Sequence, residues 1–455
     1  MFTRSHNMYT RTAEEATMKR RVLMGISFVI IALSMTVVAT GESKKGMDGD
    51  PIRANALRML NEGREIFRFD TFGDEAFWGD TLKLHQAIAG AKLGGVGDGV
   101  NPKTALAVGL KVDMDALPKK LVASLKAGKV NLDDPATTLA LLKLNSVVGV
   151  KGVFDKKGAL VSIGITCAFC HSTVDDAFIP GIGRRLDGWP NRDLNVGVIA
   201  SLAPNLDPVA KRLRTDVETV KKVFVSWGPG KYDAEILEDG KAFRPDGKSA
   251  ATLLPPAFGL AGVNLHTNVG WGSVTHWNAY VANTQMHGKG TFFDPRMNDP
   301  AKFPIAVENN DWNMRSTPDM VTAKLAALHF YQLAIAAPMP PAGSFDKVAA
   351  ARGEALFKGK ADCFRCHVPP LYTEPGWNMH KPAEIGIDDF QAMRSPDGMY
   401  RTTPLKGLWS HQKGGFFHDG RFATLLDVVN HYNKFFDLKL SDQDKTDIVE
   451  FLKSL

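Results

Sequence analysis

Apolar residues recur at helical spacing in several separated stretches, and these predict a mainly α fold. Pro51 to Phe67 is the first. Ala136 to Val147 is the second, with Leu139, Leu141, Leu142 and Leu144 forming a broad apolar face. Between them, Gly90 to Gly99 reads as loop, and residues 44–165 as a whole read as helical. A later helix is expected from Met320 to Ala337, ended by Pro338-Met339-Pro340-Pro341, where a domain boundary is placed. Asp346 can cap a helix running to Phe357. Ser441 to Asp444 is a capping-box-like start to a terminal helix on which Ile448, Leu452 and Leu455 share a face. Residues 175–300 break the pattern: dense in Gly, Pro, Trp and Asn, they predict long loops of the kind that wrap a bound group.

The N-terminus changes the setting. Val22 to Ala39 is an apolar run preceded by Lys19-Arg20-Arg21, the layout of an export signal. Ala39-Thr40-Gly41 offers small residues for cleavage, and an uncleaved run is just long enough to act as a membrane tether. Met1 and Met18 are both candidate starts. The expected location is the periplasm or another extracytoplasmic space, and the expected division is 1–43 signal or anchor, 44–340 and 341–455. At 455 residues the chain has material for more than one domain. A net charge of +6, scattered rather than clustered, gives no reason to expect nucleic acid.

The chemistry lies in the cysteines. All four fall in two copies of one pattern, Cys167-Ala168-Phe169-Cys170-His171 and Cys363-Phe364-Arg365-Cys366-His367. C-x-x-C-H is the attachment signature of c-type haem, with two thioethers to the porphyrin and the adjacent histidine as axial ligand. A zinc site or a redox dithiol is the rival reading. Two haem c groups are expected, with His171 and His367 on the irons. An electron carrier then needs a strong protein ligand on the other side of each iron, whereas an open position permits O2 or peroxide chemistry.

The segment Arg401-Thr402-Thr403-Pro404-Leu405-Lys406-Gly407, followed by Phe416-Phe417-His418-Asp419-Gly420-Arg421 and the helix Leu425 to Asn433, resembles the C-terminal haem domain of the bacterial dihaem cytochrome c peroxidases and their MauG-type relatives. The match covers about residues 345–455. It implies two cytochrome c-like haem domains with long loops, here behind an N-terminal helical extension. It also implies a distal ligand for the second haem at Tyr432. Periodicity agrees, since Leu425, Val428, Val429 and Tyr432 share a helix face. His431 and Met399 are the rival ligands. His418 matches a residue kept beside this haem, expected to hydrogen-bond a propionate or a loop carbonyl, and Arg421 is a candidate propionate partner.

Around the first haem, Arg184 stands about where the peroxidases carry a gating histidine, which implies an open site or a ligand from His266, His276, Met286 or His287. Trp271 to His287 resembles the family's tryptophan-bearing segment between haems, so Arg184 and Trp277 are the candidate catalytic residues. Phe77-Trp78-Gly79-Asp80 resembles a family motif out of its usual order and receives no role. The resemblance further implies a calcium ion between the domains. The expected function is a peroxidase or MauG-like oxidoreductase in which the first haem meets peroxide or O2 and the second relays electrons from a small redox protein or a quinol-linked donor. The long extension, as in the related rubber oxygenases, keeps an O2-using outcome in view. A pure electron-transfer cytochrome, and a haem-bearing sensor, are the alternatives.

Overall fold

Helix α1 (Pro51–Phe69) opens with proline at its first position, where a missing N–H costs nothing, and the Asp50 carboxylate accepts from the Ile52 N–H at 2.9 Å. The computed structural model describes residues 49–455. The apolar run Val22 to Ala39 and both candidate starts lie outside them. Of the described residues, 49–58 belong to one unit and Met59–Leu455 form a second. Among the described residues, no helix is long and apolar enough to cross a membrane.

Within the second unit, α2 (Pro135–Lys143) is capped by Asp134, whose carboxylate accepts from the Ala136 N–H at 2.9 Å. It stops short of the expected Val147 because Asn145 takes a left-handed conformation (φ 51°), which ends the helix. The wholly helical reading of residues 44–165 needs a larger correction. An antiparallel hairpin of β1 (Val150–Phe154) and β2 (Leu160–Ile165) follows α2. A tight turn at Gly158 (φ +85°) and the burial of Leu160 and Ile163 account for it. This hairpin feeds the first C-x-x-C-H, which forms the one-turn helix α3 (Ala168–His171). Strands β3 (Ser172–Val174) and β4 (Arg185–Asp187) then pair, and the Ser172 hydroxyl donates to Asp187 at 2.8 Å.

The motif sits at the meeting of two apolar clusters. Phe169 and Cys170 pack with Trp78, Leu194, Val220 and Trp227. Ala168 and Cys167 pack with Phe67, Phe72, Met286 and Leu328. The loop-rich stretch after it contains β5 (Lys231–Tyr232) paired with β6 (Thr252–Leu253), and α4 (Val274–Tyr280), capped by Ser273. An aromatic cluster of Trp271, Trp277, Tyr280, Phe292 and Phe303 also takes in Ala392 and Tyr400. The chain after the proline stretch therefore shares core with the chain before it.

The expected helix from Met320 is shorter, α5 (Leu325–Ala334), with Ile335 extended ahead of Pro338. In the C-terminal region α6 (Lys347–Lys358) crosses α8 (Asp442–Lys453), and α7 (Leu425–Phe435) packs beside them. Asp346 caps α6, and capping boxes at Thr424/Asp427 and Ser441/Asp444 open α7 and α8. The crossing is close: a Cβ on Gly353 would lie 1.9 Å from the Asp447 carbonyl oxygen. Arg352 adds two hydrogen bonds to the Asp447 carboxylate, each of 2.7 Å.

Gly353→Ala is expected to force the two helices apart and destabilise the fold by about 2 kcal/mol. A chemical-denaturation midpoint equal to that of the unaltered protein would show that the crossing tolerates a methyl group.

Candidate functional site

The first motif is held by backbone contacts on every side. The Ile165 N–H reaches both oxygens of buried Asp74, at 3.3 and 3.2 Å, and burial pushes that carboxyl up to about 9. The Thr166 N–H donates to Gly149 and its hydroxyl to Arg68. Gly149 is left-handed (φ +78°), and a Cβ there would stand 2.1 Å from Phe169 Cα, so only glycine fits. Gly188 and Asn191 return N–H groups to the carbonyls of His171 and Cys170, at 2.8 and 2.9 Å. Inside this frame the His171 Nδ1–H donates to the Pro255 carbonyl at 3.1 Å. A carbonyl can only accept, so Nδ1 carries the proton and Nε2 keeps its lone pair. Burial lowers the His171 pKa to about 4, which keeps the ring neutral.

The second motif repeats the device on other scaffolding. A 3-10 turn over Cys363–Arg365 follows left-handed Asp362 (φ 47°). The His367 N–H donates to Cys363 at 2.9 Å, and its Nδ1–H to the Tyr372 carbonyl at 2.9 Å. Burial lowers this histidine's pKa as well.

These residues suit haem c better than the rivals. The four cysteines form no disulfide, and burial pushes the thiols of Cys167, Cys170 and Cys363 up to about 12. A working redox dithiol needs the opposite shift. Among the described residues one cluster of three metal-ligating groups occurs, Cys366 with Glu374 and His380, and the first motif belongs to none. Two buried arginines supply the missing counter-charge for an anionic group. Arg192 follows Asn191, whose N–H binds Cys170, and its Nε and Nη1 have no partner. Arg401 precedes the Thr402-Thr403 stretch beside the second motif, and its Nη1 is likewise unpartnered. Burial brings both guanidinium pKa values down to about 10, and no carboxylate among the described residues pairs with either. Haem propionates would complete them.

Tyr432 lies on α7 with its phenol pKa raised, first by burial and then by the thiols of Cys363 and Cys366. It is therefore within electrostatic reach of the second motif. His431 turns away: its Nε2 meets the Ile385 carbonyl at 3.0 Å, and its ring stacks on Phe435. Met399 is half-buried beside Tyr400. His418 is buried and stacked on Tyr400 at 5.2 Å; its Nε2 has no partner, and burial lowers its pKa to about 4. The Arg421 guanidinium is engaged by the carboxylates of Asp388 and Asp419.

Near the first motif, Arg184 is exposed, with its N–H on Asp175 at 2.8 Å. Trp277 is buried among Trp271 and Tyr280, its Nε1 unpartnered. Of the distant ligand candidates, Met286 packs in the cluster holding Cys167, and His287 stacks at 3.6 Å on Phe77, which packs in the cluster holding Cys170. Trp78 donates to the Met286 carbonyl at 3.0 Å, so the Phe77-Trp78 turn does reach this site. His266 and His276 are engaged elsewhere, on the Val263 carbonyl and on Asp294.

A buried acidic group beside the first motif is the feature that sequence reasoning missed. Asp233, Glu235, Glu238 and Asp239 are each at most 6% exposed, around the fully buried Arg394, which pairs with Asp233 and Asp239 at 2.7 Å. One oxygen on each of Asp233, Glu235 and Glu238 has no hydrogen-bond partner. Burial raises Asp233 to about 6 and Glu235 to about 7, and pushes Glu238 well up. Tyr232 joins the acids to the motif: its phenol pKa is raised by burial, then by Cys170, Asp233, Glu238 and Glu235. In the sequence Tyr232-Asp-Ala-Glu-Ile-Leu-Glu-Asp reads as an ordinary solvated acidic stretch.

The raised Glu235 favours the protonated form, so its stabilising effect is complete below its ordinary 4.5 and is lost as pH climbs through about 7. Glu235→Gln is therefore expected to flatten the fall in stability across that window. Parallel pH–stability curves for the two proteins would show that Glu235 does not titrate there.

No profile of a known protein family matches the chain. Over 125 aligned residues, 23% of this chain, it is 30% identical to the methylamine utilization protein MauG of Methylorubrum extorquens, covering 34% of that protein. It is 27% identical over 149 residues to the cytochrome-c peroxidase IdrP1 of Denitromonas iodatirespirans, covering 40% of that protein. The chain thus spans between a third and two fifths of the length of these curated relatives. A solved MauG-like protein associated with microbial copper homeostasis aligns with 47% of this chain and 76% of its own, at 18% identity and a TM-score of 0.31. By its sequence matches the chain is a distant homologue of MauG and of the cytochrome-c peroxidase IdrP1.

Proposed function

We propose that the protein is an exported oxidoreductase of the peroxidase/MauG-like class, carrying haem c at Cys167, Cys170 and His171 and again at Cys363, Cys366 and His367. One observation supports this reading above the others. Both motif histidines are neutral through burial and spend Nδ1–H on a backbone carbonyl, His171 at 3.1 Å and His367 at 2.9 Å, which leaves an unshared Nε2 pair that would take a metal. Bound haem supplies one-electron chemistry at iron and a binding position for peroxide or O2.

The chain's own residues divide the remaining work. Arg192 and Arg401, buried without a carboxylate partner, would hold the haem carboxylates, one near each motif. Tyr432, whose phenol feels the thiols of Cys363 and Cys366, would be the protein group offered to the second haem, which suits a relay. Around the first site, Asp233 and Glu235 change protonation near neutrality, at about 6 and about 7, and can hand protons inward past Tyr232. Peroxide cleavage and O2 reduction both consume protons, so buried acids of this kind belong beside the reactive centre. Trp189, one residue after the Gly188 N–H that binds His171, meets Trp409 edge-on at 5.7 Å, and this pair offers an aromatic route toward the C-terminal region.

Two haems per chain are expected from pyridine haemochrome absorbance and intact mass. Rapid oxidation of the diferrous protein by peroxide is expected, with one cyanide-sensitive ferric site by electron paramagnetic resonance. Two low-spin sites blind to cyanide, carbon monoxide and peroxide would instead make the protein a plain electron carrier. Tyr432→Phe is expected to change the spectrum of one haem only, and His431→Ala to leave both intact. Replacing His171 is expected to abolish carbon monoxide binding, whereas replacing His367 spares it; equal binding by both variants contradicts the division of labour.

A further inference from the structure

The N-terminal region that precedes the first motif contains a cavity of about 320 Å³, which none of the chemistry above uses. Its walls are hydrocarbon, drawn from Ile88, Leu106, Leu121, Leu125 and Leu142 among others. The one charged wall residue, Lys111, is turned to Asp193, its ammonium 2.7 Å from that carboxylate. Well-packed interiors leave few voids larger than a water molecule, and a dry void forfeits the contacts of its whole lining. Size alone therefore asks what fills it.

A second observation points to a ligand. Thr138 lines this cavity and is 6% exposed, and its hydroxyl has no hydrogen-bond partner. A mid-helix threonine ordinarily returns its hydroxyl to a carbonyl one turn back, and neighbouring Thr137 satisfies its own on the Asn131 carbonyl at 2.7 Å. Lys111 and Thr137 also line the chamber but are already partnered, so Thr138 presents the one unpartnered polar side chain of a mostly apolar lining, the usual composition of a small-molecule site. The chamber also leads somewhere. A smaller hollow of about 50 Å³ shares Ile88, Val100, Leu110 and Val150 with it and is lined on its far side by Phe169, inside the first C-x-x-C-H.

We infer that this cavity binds a neutral, mostly hydrocarbon molecule bearing one hydroxyl or carbonyl group, with that group on Thr138 and the chain along the leucine walls. At about 30 Å³ for each water-sized volume, the cavity takes about ten such groups, the length of a chain of about ten carbons. The inference stands on the cavity and Thr138 and does not require the haem reading.

Calorimetric titration of the full-length, haem-loaded protein with primary n-alkanols of increasing length tests it. Affinity is expected to rise about fourfold per methylene and to level off near ten carbons. Ala105 also lines the cavity, and Ala105→Phe is expected to shorten that limit by several carbons. Thr138→Val keeps volume and fold, and is expected to weaken 1-decanol about tenfold without changing the dependence on chain length. Absence of binding, no chain-length limit, or affinities untouched by both substitutions would each overturn the inference and leave the cavity a packing void.

Discussion

A neutral imidazole pinned by a backbone carbonyl is the contact on which the rest of this molecule turns. At both motifs the protein must give one ring nitrogen a proton, deny it to the other, and hold the ring in one orientation. It does so with a hydrogen bond from Nδ1 to a carbonyl that cannot donate back, on Pro255 in one case and Tyr372 in the other. Burial strengthens the arrangement by disfavouring the imidazolium. The surrounding structure then reads as support for those two carbonyls and for the short turns carrying the cysteines. The β1–β2 hairpin, Gly149, Gly188 and Asn191 serve the first, and the α6–α8 crossing serves the region of the second.

Charge placement separates a finished ion-pair network from an unfinished one. Arg394 is fully buried yet forks between two carboxylates, so its desolvation is compensated. Arg192 and Arg401 are also buried and have no carboxylate. A folded chain tolerates such a group when another anion completes it, and the two unfinished arginines lie one near each motif. Arg421, the propionate partner expected from sequence, is instead committed to Asp388 and Asp419. The acids around Arg394 outnumber it, so several of their oxygens lack partners, and burial, with the neighbouring acids adding to it, raises their pKa values toward neutrality.

Local signals were legible wherever the physics is local. The two C-x-x-C-H segments, the Asp346 cap, the Ser441–Asp444 capping box and the inward face of α7 depend on residues within a turn or two of each other. The hairpin was missed because α2 and β1 adjoin within one continuous apolar stretch, and short apolar runs do not announce their period. The acidic run after Tyr232 was missed for a different reason. A sequence of Asp and Glu reads as surface unless one knows that Arg394, some 155 positions away, folds into its midst.

By itself the sequence determined where the two C-x-x-C-H motifs lie, with the haem attachment they lead one to expect, and which helices begin where, since each follows from neighbours along the chain. Only the tertiary structure decided which carbonyl orients each histidine, which arginines are left without counter-charge among the described residues, and that a chamber opens behind Thr138. Those are outcomes of burial, and burial is a property of distant segments meeting, which no local pattern encodes.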